Sequence, residues 1–480
     1  MEESFTELGY QKLVQDIFRR FPSVQKDGFT AGAYKPGLER MEAFDQALGN
    51  PSRKFRSIHV AGTNGKGSVA NMLASALSAC GLRTGLFTSP HLMDFRERMV
   101  IAGGTSKGEE APKGASAASL IPKEYVFQFL NRWMPWIIQY GLSFFEITTA
   151  LAFKWFEDMQ VDVAVIEVGL GGRLDSTNIL VPELSIITTI GLDHCELLGN
   201  TLPQVAAEKA GIFKRGVPAL VGETQAETAP VFKEKAWMFC PLTFADEQSP
   251  TLWNRHREIL KEMDLRADVQ EKNLRTVLCA LDILRDGPLG LALGRGLFGM
   301  APDWEDTLVD GIVHTAARMG FHGRWERLST QPYVLADIGH NPQALDNNFR
   351  QLEKLVARGD FSSLIIVYGI MADKDLDAIL PLMPRNATYI FTTPQTPRAL
   401  PADDILEKFR AFSEAAGDNA KARTFAFSSV RQAVQMAIQL AQRLGVQLSR
   451  SASAETPAPP LIYIGGSTFV VAEALPLFRR

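Results

Sequence analysis

Residues 59–73, HVAGTNGKGSVANML, set three glycines and a lysine between an apolar run and an amphipathic one. Before them, Phe55 to Ala61 reads as a short buried strand. After them, Val69, Met72, Leu73, Ala76, Leu77 and Cys80 recur at spacings that place them on one face of a helix. In a strand–glycine loop–helix unit, backbone N–H groups and a helix N-terminus converge on an anion. The loop consists of Gly62, Thr63, Asn64, Gly65, Lys66, Gly67 and Ser68, tighter than the usual G-x-x-x-x-G-K-[ST] phosphate loop. Lys66 adds a mobile positive charge and Ser68 a hydroxyl able to ligate Mg²⁺. The plain alternative is a glycine-rich turn with a solvated lysine.

Apolar runs and helical patterns alternate along the rest of the chain. VDVAVIEVGLGG (161–172), LSIITTIGLDH (184–194) and VPALVGE (217–223) each read as a strand entering a loop. Such runs imply a parallel sheet covered on both faces, with ligands beyond the carboxyl ends of its strands. A second series follows residue 328: YVLADIGHN, SLIIVYGIMADKD, ATYIFTTP and LIYIGGSTFVVAEAL. The expected fold is therefore α/β in two domains: a P-loop ATPase-like parallel-sheet domain over 1–320 and a smaller Rossmann-like domain over 328–480, joined by a linker at 321–327. Two small-residue, polar segments, 103–122 and 449–460, are expected to be mobile surface loops.

Bulk properties narrow the function. A length of 480 residues exceeds one ordinary core. A net charge of −4 gives no electrostatic case for nucleic acid. There is no apolar run of about 18 residues to span a membrane, and the acidic start, MEESFTELGY, lacks a signal pattern. The four cysteines are scattered, as expected of reduced thiols in a cytoplasmic protein. A monomer acting on small molecules is expected.

Several polar residues sit where strands end. Glu167 closes the run AVIE, and a buried carboxylate there needs a partner or a metal. Ser89 (TSPHL) and His194 (LDH) end two further runs and could meet Glu167 beside the glycine loop. Each also has a plain reading: a cap before proline, a loop histidine, an ion-pair partner. By composition, Lys209 in EKAGIFKRG is a solvated lysine at a helix C-terminus. Asp337 and His340 bracket a turn in DIGHNPQAL, where Asn341-Pro342 is a helix cap signal. Arg324 in HGRWE lies at the presumed joint, suited to a phosphate or to a surface ion pair.

Taken in order, GLER, HVAGTNGKGS, TSPHL, FRERM, EVGLGGRLDSTN, LDH, EKAGIF, NLRTVL, HGRWE and DIGHNPQAL resemble the folylpolyglutamate synthase and dihydrofolate synthase family, the folate branch of the Mur-ligase-like amide ligases. The resemblance runs from about residue 37 to 345 and is looser through YGIMADKD and IGGSTFVVAEAL. It implies ATP-dependent joining of L-glutamate to dihydropteroate or to the glutamate tail of reduced folates, through an acyl phosphate. The loop from Gly62 to Ser68 would hold ATP, with Asn273, Arg324, Asp337 and His340 as further nucleotide contacts from both domains. Ser89, Glu167 and His194, with Ser68 near them, would hold Mg²⁺. Lys66, Lys209 and His194 form the implied catalytic set, with Lys209 as a carbamate. Phe145 and Asp175 would form the pterin site, and the domain over 328–480 would be the glutamate ligase domain. A monovalent cation is a further implication. Glu146, although a carboxylate beside Phe145, is not a metal ligand on this reading. A Mur ligase acting on a UDP-sugar peptide shares the architecture, but the loop strings are those of the folate branch. An inactive ATP-binding paralogue is disfavoured by the intact Lys66, Glu167, His194 and Lys209 set. A GTPase would carry an N-K-x-D segment, which the sequence lacks.

Overall fold

The computed structural model describes residues 4–28, 33, 35–104, 118–237, 239–287, 289–290, 303–416, 423–451 and 458–479. The chain divides into two compact units, Met1–Asp264 with Val269–Phe321, and Leu265–Asp268 with His322–Arg480.

In the first unit, eight strands form one sheet: β1 (Arg56–Ala61), β2 (Thr84–Phe87), β3 (Met99–Ala102), β4 (Ala118–Leu120), β5 (Val163–Glu167), β6 (Leu184–Ile187), β7 (Ala219–Val221) and β8 (Leu242–Phe244). Their order is β4-β3-β2-β5-β1-β6-β7-β8. β2, β5, β1, β6, β7 and β8 run parallel, and their central members are buried throughout, as doubly covered strands must be. β3 and β4 are antiparallel, so the sheet is mixed at one edge rather than wholly parallel. β4 corrects the loop expected over 103–122, since Leu120 pairs with Val100 and Ala118 with Ala102. Residues 105–117 of that segment lie outside the described residues. The helix Val430–Ser451 likewise runs into the start of the expected 449–460 loop, of which 452–457 lie outside the described residues.

The helix after the glycine loop, Lys66–Ala79, is not amphipathic. Every residue from Gly67 to Ser78 is buried. The helix Trp304–Val313 packs against it, where Ser75 Oγ donates to Gly311 O (2.5 Å). A Cβ at Gly311 would lie 2.8 Å from Ala76 Cα, so the two backbones touch closely through small residues. On the other side, the helices Lys123–Tyr140 and Phe144–Asp158 close an aromatic core that includes Phe44, Phe87, Phe127, Phe153 and Phe156. Ser143 and Glu146 form a capping box at the start of Phe144–Asp158, and Glu146 also pairs with Arg40 at 3.2 Å. Glu146 therefore has a structural role.

The second unit carries β9 (Glu326–Thr330), β10 (Tyr333–Ala336), β11 (Leu364–Tyr368), β12 (Ala387–Thr392), β13 (Thr424–Phe427) and β14 (Leu461–Gly465), in the order β13-β12-β11-β14-β10-β9. Only the β9–β10 pair is antiparallel. The segment 321–327, expected as a linker, is built mostly into this unit. β9 starts at Glu326, whose carboxylate accepts from Gly323 N (2.8 Å), and Gly323 O accepts from Ile338 N (3.0 Å). Among the described residues no helix is long and apolar enough to cross a membrane, and all four cysteines are free.

Candidate active site

The strand order brings the carboxyl ends of β2, β5, β1 and β6 side by side. Ser89 follows β2, Glu167 ends β5, the glycine loop follows β1, and Thr188 follows β6.

Gly62 has φ +146, and a Cβ there would meet Thr188 Oγ1 at 1.9 Å. Only glycine lets the loop lie so close. Thr188 Oγ1 donates to Asn64 O (2.6 Å), and Thr63 N donates to Thr189 O (2.7 Å), tying the loop to β6. Gly65 is the left-handed cap of the helix (φ +86), packed against Asn273 Oδ1. The amides of that helix's first turn have no partner within the helix and are available to an anion. Lys66 Nζ folds back over the loop, donating to Gly62 O (3.1 Å) and Thr63 O (3.2 Å). Asn273 Nδ2 donates to Gln270 Oε1 (2.9 Å), and Gln270 Nε2 reaches Ser68 Oγ (3.4 Å). The structure thus joins Asn273 to the loop although two hundred positions separate them (|i−j| = 202 for Gln270 and Ser68).

Glu167 is buried and accepts from Ser89 N (3.4 Å). Arg98, also buried, faces it electrostatically. Burial pushes the Arg98 guanidinium down to about 10, opposed by Glu167 and Glu97. Arg98 also donates to Gln25 Oε1 (2.8 Å) and His91 Nδ1 (2.9 Å). His194 has φ +55 and caps the short helix Cys195–Leu198, with its own N donating to Asp193 Oδ1 (3.0 Å). Among the described residues no three His, Cys, Asp or Glu side chains form a metal cage. The expected donors are one carboxylate (Glu167), two hydroxyls (Ser89 and Ser68) and one imidazole (His194). Mg²⁺ wants about six oxygens and keeps several waters, so this set fits an ion delivered with phosphate oxygens, not a resident structural metal.

Lys209 ends the helix Leu202–Lys209 and is only 5% exposed. The solvated lysine suggested by composition is thereby corrected. Burial, then the nearby charge of Lys66, push its ammonium down to about 7, against Asp193 and Asp175. The loop that follows β5 packs on this helix end: a Cβ at Gly172 would lie 2.8 Å from Lys209 O. Phe145, half-buried, lies on Gly169 of the same loop, where a Cβ would come 2.4 Å from the ring. Asp175 caps the turn Ser176–Ile179. It accepts from Leu170 N (2.9 Å), Thr177 N (3.0 Å) and Thr177 Oγ1 (2.5 Å).

In the second unit, Asp337 accepts from Trp325 N (2.9 Å), Gly339 N (2.7 Å) and Asn348 Nδ2 (2.7 Å). Its carboxylate holds the turn after β10 together. His340 is half-buried, with Nδ1 3.0 Å from Ile338 O, and Asn341 caps the helix Pro342–Ala357. Arg324 is half-buried, with Nη1 3.4 Å from Gly323 O. Sequence reasoning missed Thr188, Gln270, Asp193 and Arg98. Thr188 was in view as the polar end of ITT, and Gln270 as the residue one turn before Asn273. Arg98 gave no signal of burial.

Residues 323–448 match the Mur ligase, glutamate ligase domain. The folylpolyglutamate synthase of Lacticaseibacillus casei is 32% identical over 74% of this chain and 81% of its own length. The chain belongs to the folylpolyglutamate synthase and dihydrofolate synthase family. The dihydrofolate synthase/folylpolyglutamate synthase of Bacillus subtilis is 31% identical over 78% of this chain and 84% of its own. Among solved structures, the Mycobacterium tuberculosis folylpolyglutamate synthase complexed with ADP is 25% identical, with a TM-score of 0.76 over 98% of this chain and 99% of that one. The family's members are ATP-dependent ligases, and both sheets described above are elements of its fold.

Proposed function

We propose that this chain joins L-glutamate to dihydropteroate, to the glutamate tail of reduced folates, or to both, with ATP as co-substrate. The observation that carries this reading is the glycine loop, with Lys66 folded over it, at the same sheet edge as Glu167, Lys209 and Phe145. A carboxylate is a poor acyl donor, so it must be activated. Its oxygen attacks the γ-phosphorus, the bond from phosphorus to the β,γ-bridging oxygen breaks, and ADP leaves. The glutamate amine then attacks the acyl carbon, loses a proton, and the C–O bond to phosphate breaks. Lys66 and the first-turn amides offset charge on the phosphoryl group as it moves. Ser89, Glu167, His194 and Ser68 would hold Mg²⁺, which supplies charge neutralisation on the phosphates. Asn273 positions the loop. Arg324, Asp337 and His340 are the nucleotide contacts of the second unit, which we read as the glutamate ligase domain, and Phe145 supplies the flat face for the pterin.

Lys209 is read as a carbamate. Its neutral amine adds to CO₂ through a new N–C bond and releases one proton, giving an anion, and burial, which pushes the amine down to about 7, favours the neutral form this needs. A monovalent cation belongs to the same reading, as do a monomeric state and a cytoplasmic location. In the test, purified protein is given ATP, Mg²⁺ and glutamate with dihydropteroate or tetrahydrofolate. ADP release that requires both glutamate and a pteroyl substrate is expected; release without either, or none at all, overturns the reading.

A further inference from the structure

His59 sits in the middle of β1, fully buried between β5 and β6. An imidazole in such a strand is costly unless its polar atoms are used. Only one is. Nε2 lies 2.9 Å from Thr177 Oγ1, and Nδ1 has no partner. Thr177 Oγ1 in turn donates to Asp175 Oδ1 at 2.5 Å. The hydroxyl proton therefore points at the carboxylate, and the hydroxyl oxygen must accept from Nε2–H. That fixes the tautomer and leaves Nδ1 as a bare lone pair. Burial holds the ring neutral, pushing it down to about 3. A hydroxyl alone could rotate. With a donor behind it, the hydroxyl can only face Asp175.

Asp175 passes the constraint on. Besides Thr177 N and Oγ1 it accepts from the amide of Leu170. It is the anchor of the loop 168–172. That loop starts beside Glu167, carries Gly169 under the Phe145 ring, and presses Gly172 on the Lys209 end of its helix.

We infer that His59 and Thr177 are positioning residues for the pterin end of the site, acting through Asp175 on the loop that carries Gly169 and Leu170. This rests on the reading that Phe145 borders the pterin. Asp175 then anchors the loop, and the backbone it holds shapes the pocket.

The test compares Thr177→Val, which keeps the shape and removes the hydroxyl, with Thr177→Ser, which restores it. Thr177→Val should raise KM for the pteroyl substrate by about tenfold, the size of one lost hydrogen bond, with KM for ATP unchanged within about twofold. Thr177→Ser should return KM to the wild-type value. His59→Leu should act in the same direction, and the double variant should be no worse than Thr177→Val alone, because both break one chain. If Thr177→Val does not fold, His59→Leu against His59→Gln makes the same comparison. Equal losses in both KM values together with a lowered Tm, unrepaired by Thr177→Ser, mean a merely structural role and overturn the inference. So does an unchanged pteroyl KM in Thr177→Val and His59→Leu. Phe145→Ala separates the two readings: if it leaves the pteroyl KM unchanged, the pterin pocket itself is misplaced. If it raises that KM while Thr177→Val does not, only the relay fails.

Discussion

Lys66 and Lys209 lie close enough that, after burial, the charge of Lys66 helps push the Lys209 amine down to about 7. Lys66 is held by loop carbonyls and not by the core, so its loss should harm turnover more than folding. Lys66→Ala is expected to keep the wild-type Tm and lose roughly 10²-fold in rate, the size of one electrostatic contact to a reacting group. Near-normal turnover would remove the phosphate-loop assignment. Lys209 gives a prediction about stability. Its amine titrates near 7 when folded and near its ordinary value, well above that, when unfolded. Between those two pH values the unfolded chain binds more protons, so stability rises with pH. Below 7 the full penalty of a buried charge is present. In CO₂-free buffer, Lys209→Met should therefore stabilise the protein most below pH 7, with the advantage shrinking as pH climbs above 7. Denaturant unfolding at a series of pH values measures this, and a gain independent of pH would mean the amine is not buried as described. The same variant should lose activity if the amine carries a carbamate.

At the scale of elements, the glycine loop was legible because strand, glycine run and helix are adjacent in sequence, and each has its own periodicity. Glu167, Ser89 and Lys209 were visible as polar residues closing apolar runs. What those residues touch was not legible. Asp175 is bonded within its own turn, but the histidine behind Thr177 lies 118 positions from that threonine, and no local pattern marks the pair. The Lys66–Ala79 helix shows the same limit. Its apolar spacing marks one buried face, whereas Ala70, Ala74, Ser75 and Ser78 are buried as well, and Ser75 bonds to a helix more than two hundred residues later. Small residues look neutral in a helical pattern, yet they are what lets two backbones approach. Gly311 tests this. A side chain there would collide with Ala76 Cα and Ser75 O, which are backbone and cannot move aside. Gly311→Val should lower the Tm by many degrees through overpacking and, by displacing the helix that begins at Lys66, weaken nucleotide binding as well. A Tm within a degree or two of wild type in thermal unfolding would mean that the helices are not in close contact.

On the scale of the whole molecule, the proposed site residues fall on both sides of the division in the chain. Lys66, Ser89, Glu167, His194 and Lys209 belong to the first unit, and Arg324, Asp337 and His340 to the second. The proposed chemistry adds a requirement. An acyl phosphate is open to attack by water, so water must be kept out while the glutamate amine arrives. Of the three residues in the second unit, Asp337 accepts from Trp325 N, Gly339 N and Asn348 Nδ2, whereas the Arg324 guanidinium is half-exposed and suited to a phosphate. Arg324→Ala should therefore weaken ATP binding by about tenfold, a typical loss for one charge-assisted contact, although Arg324 is far from Lys66 in sequence. The Tm should stay unchanged. Normal ATP binding by Arg324→Ala, measured by calorimetric titration, would take Arg324 out of the nucleotide site.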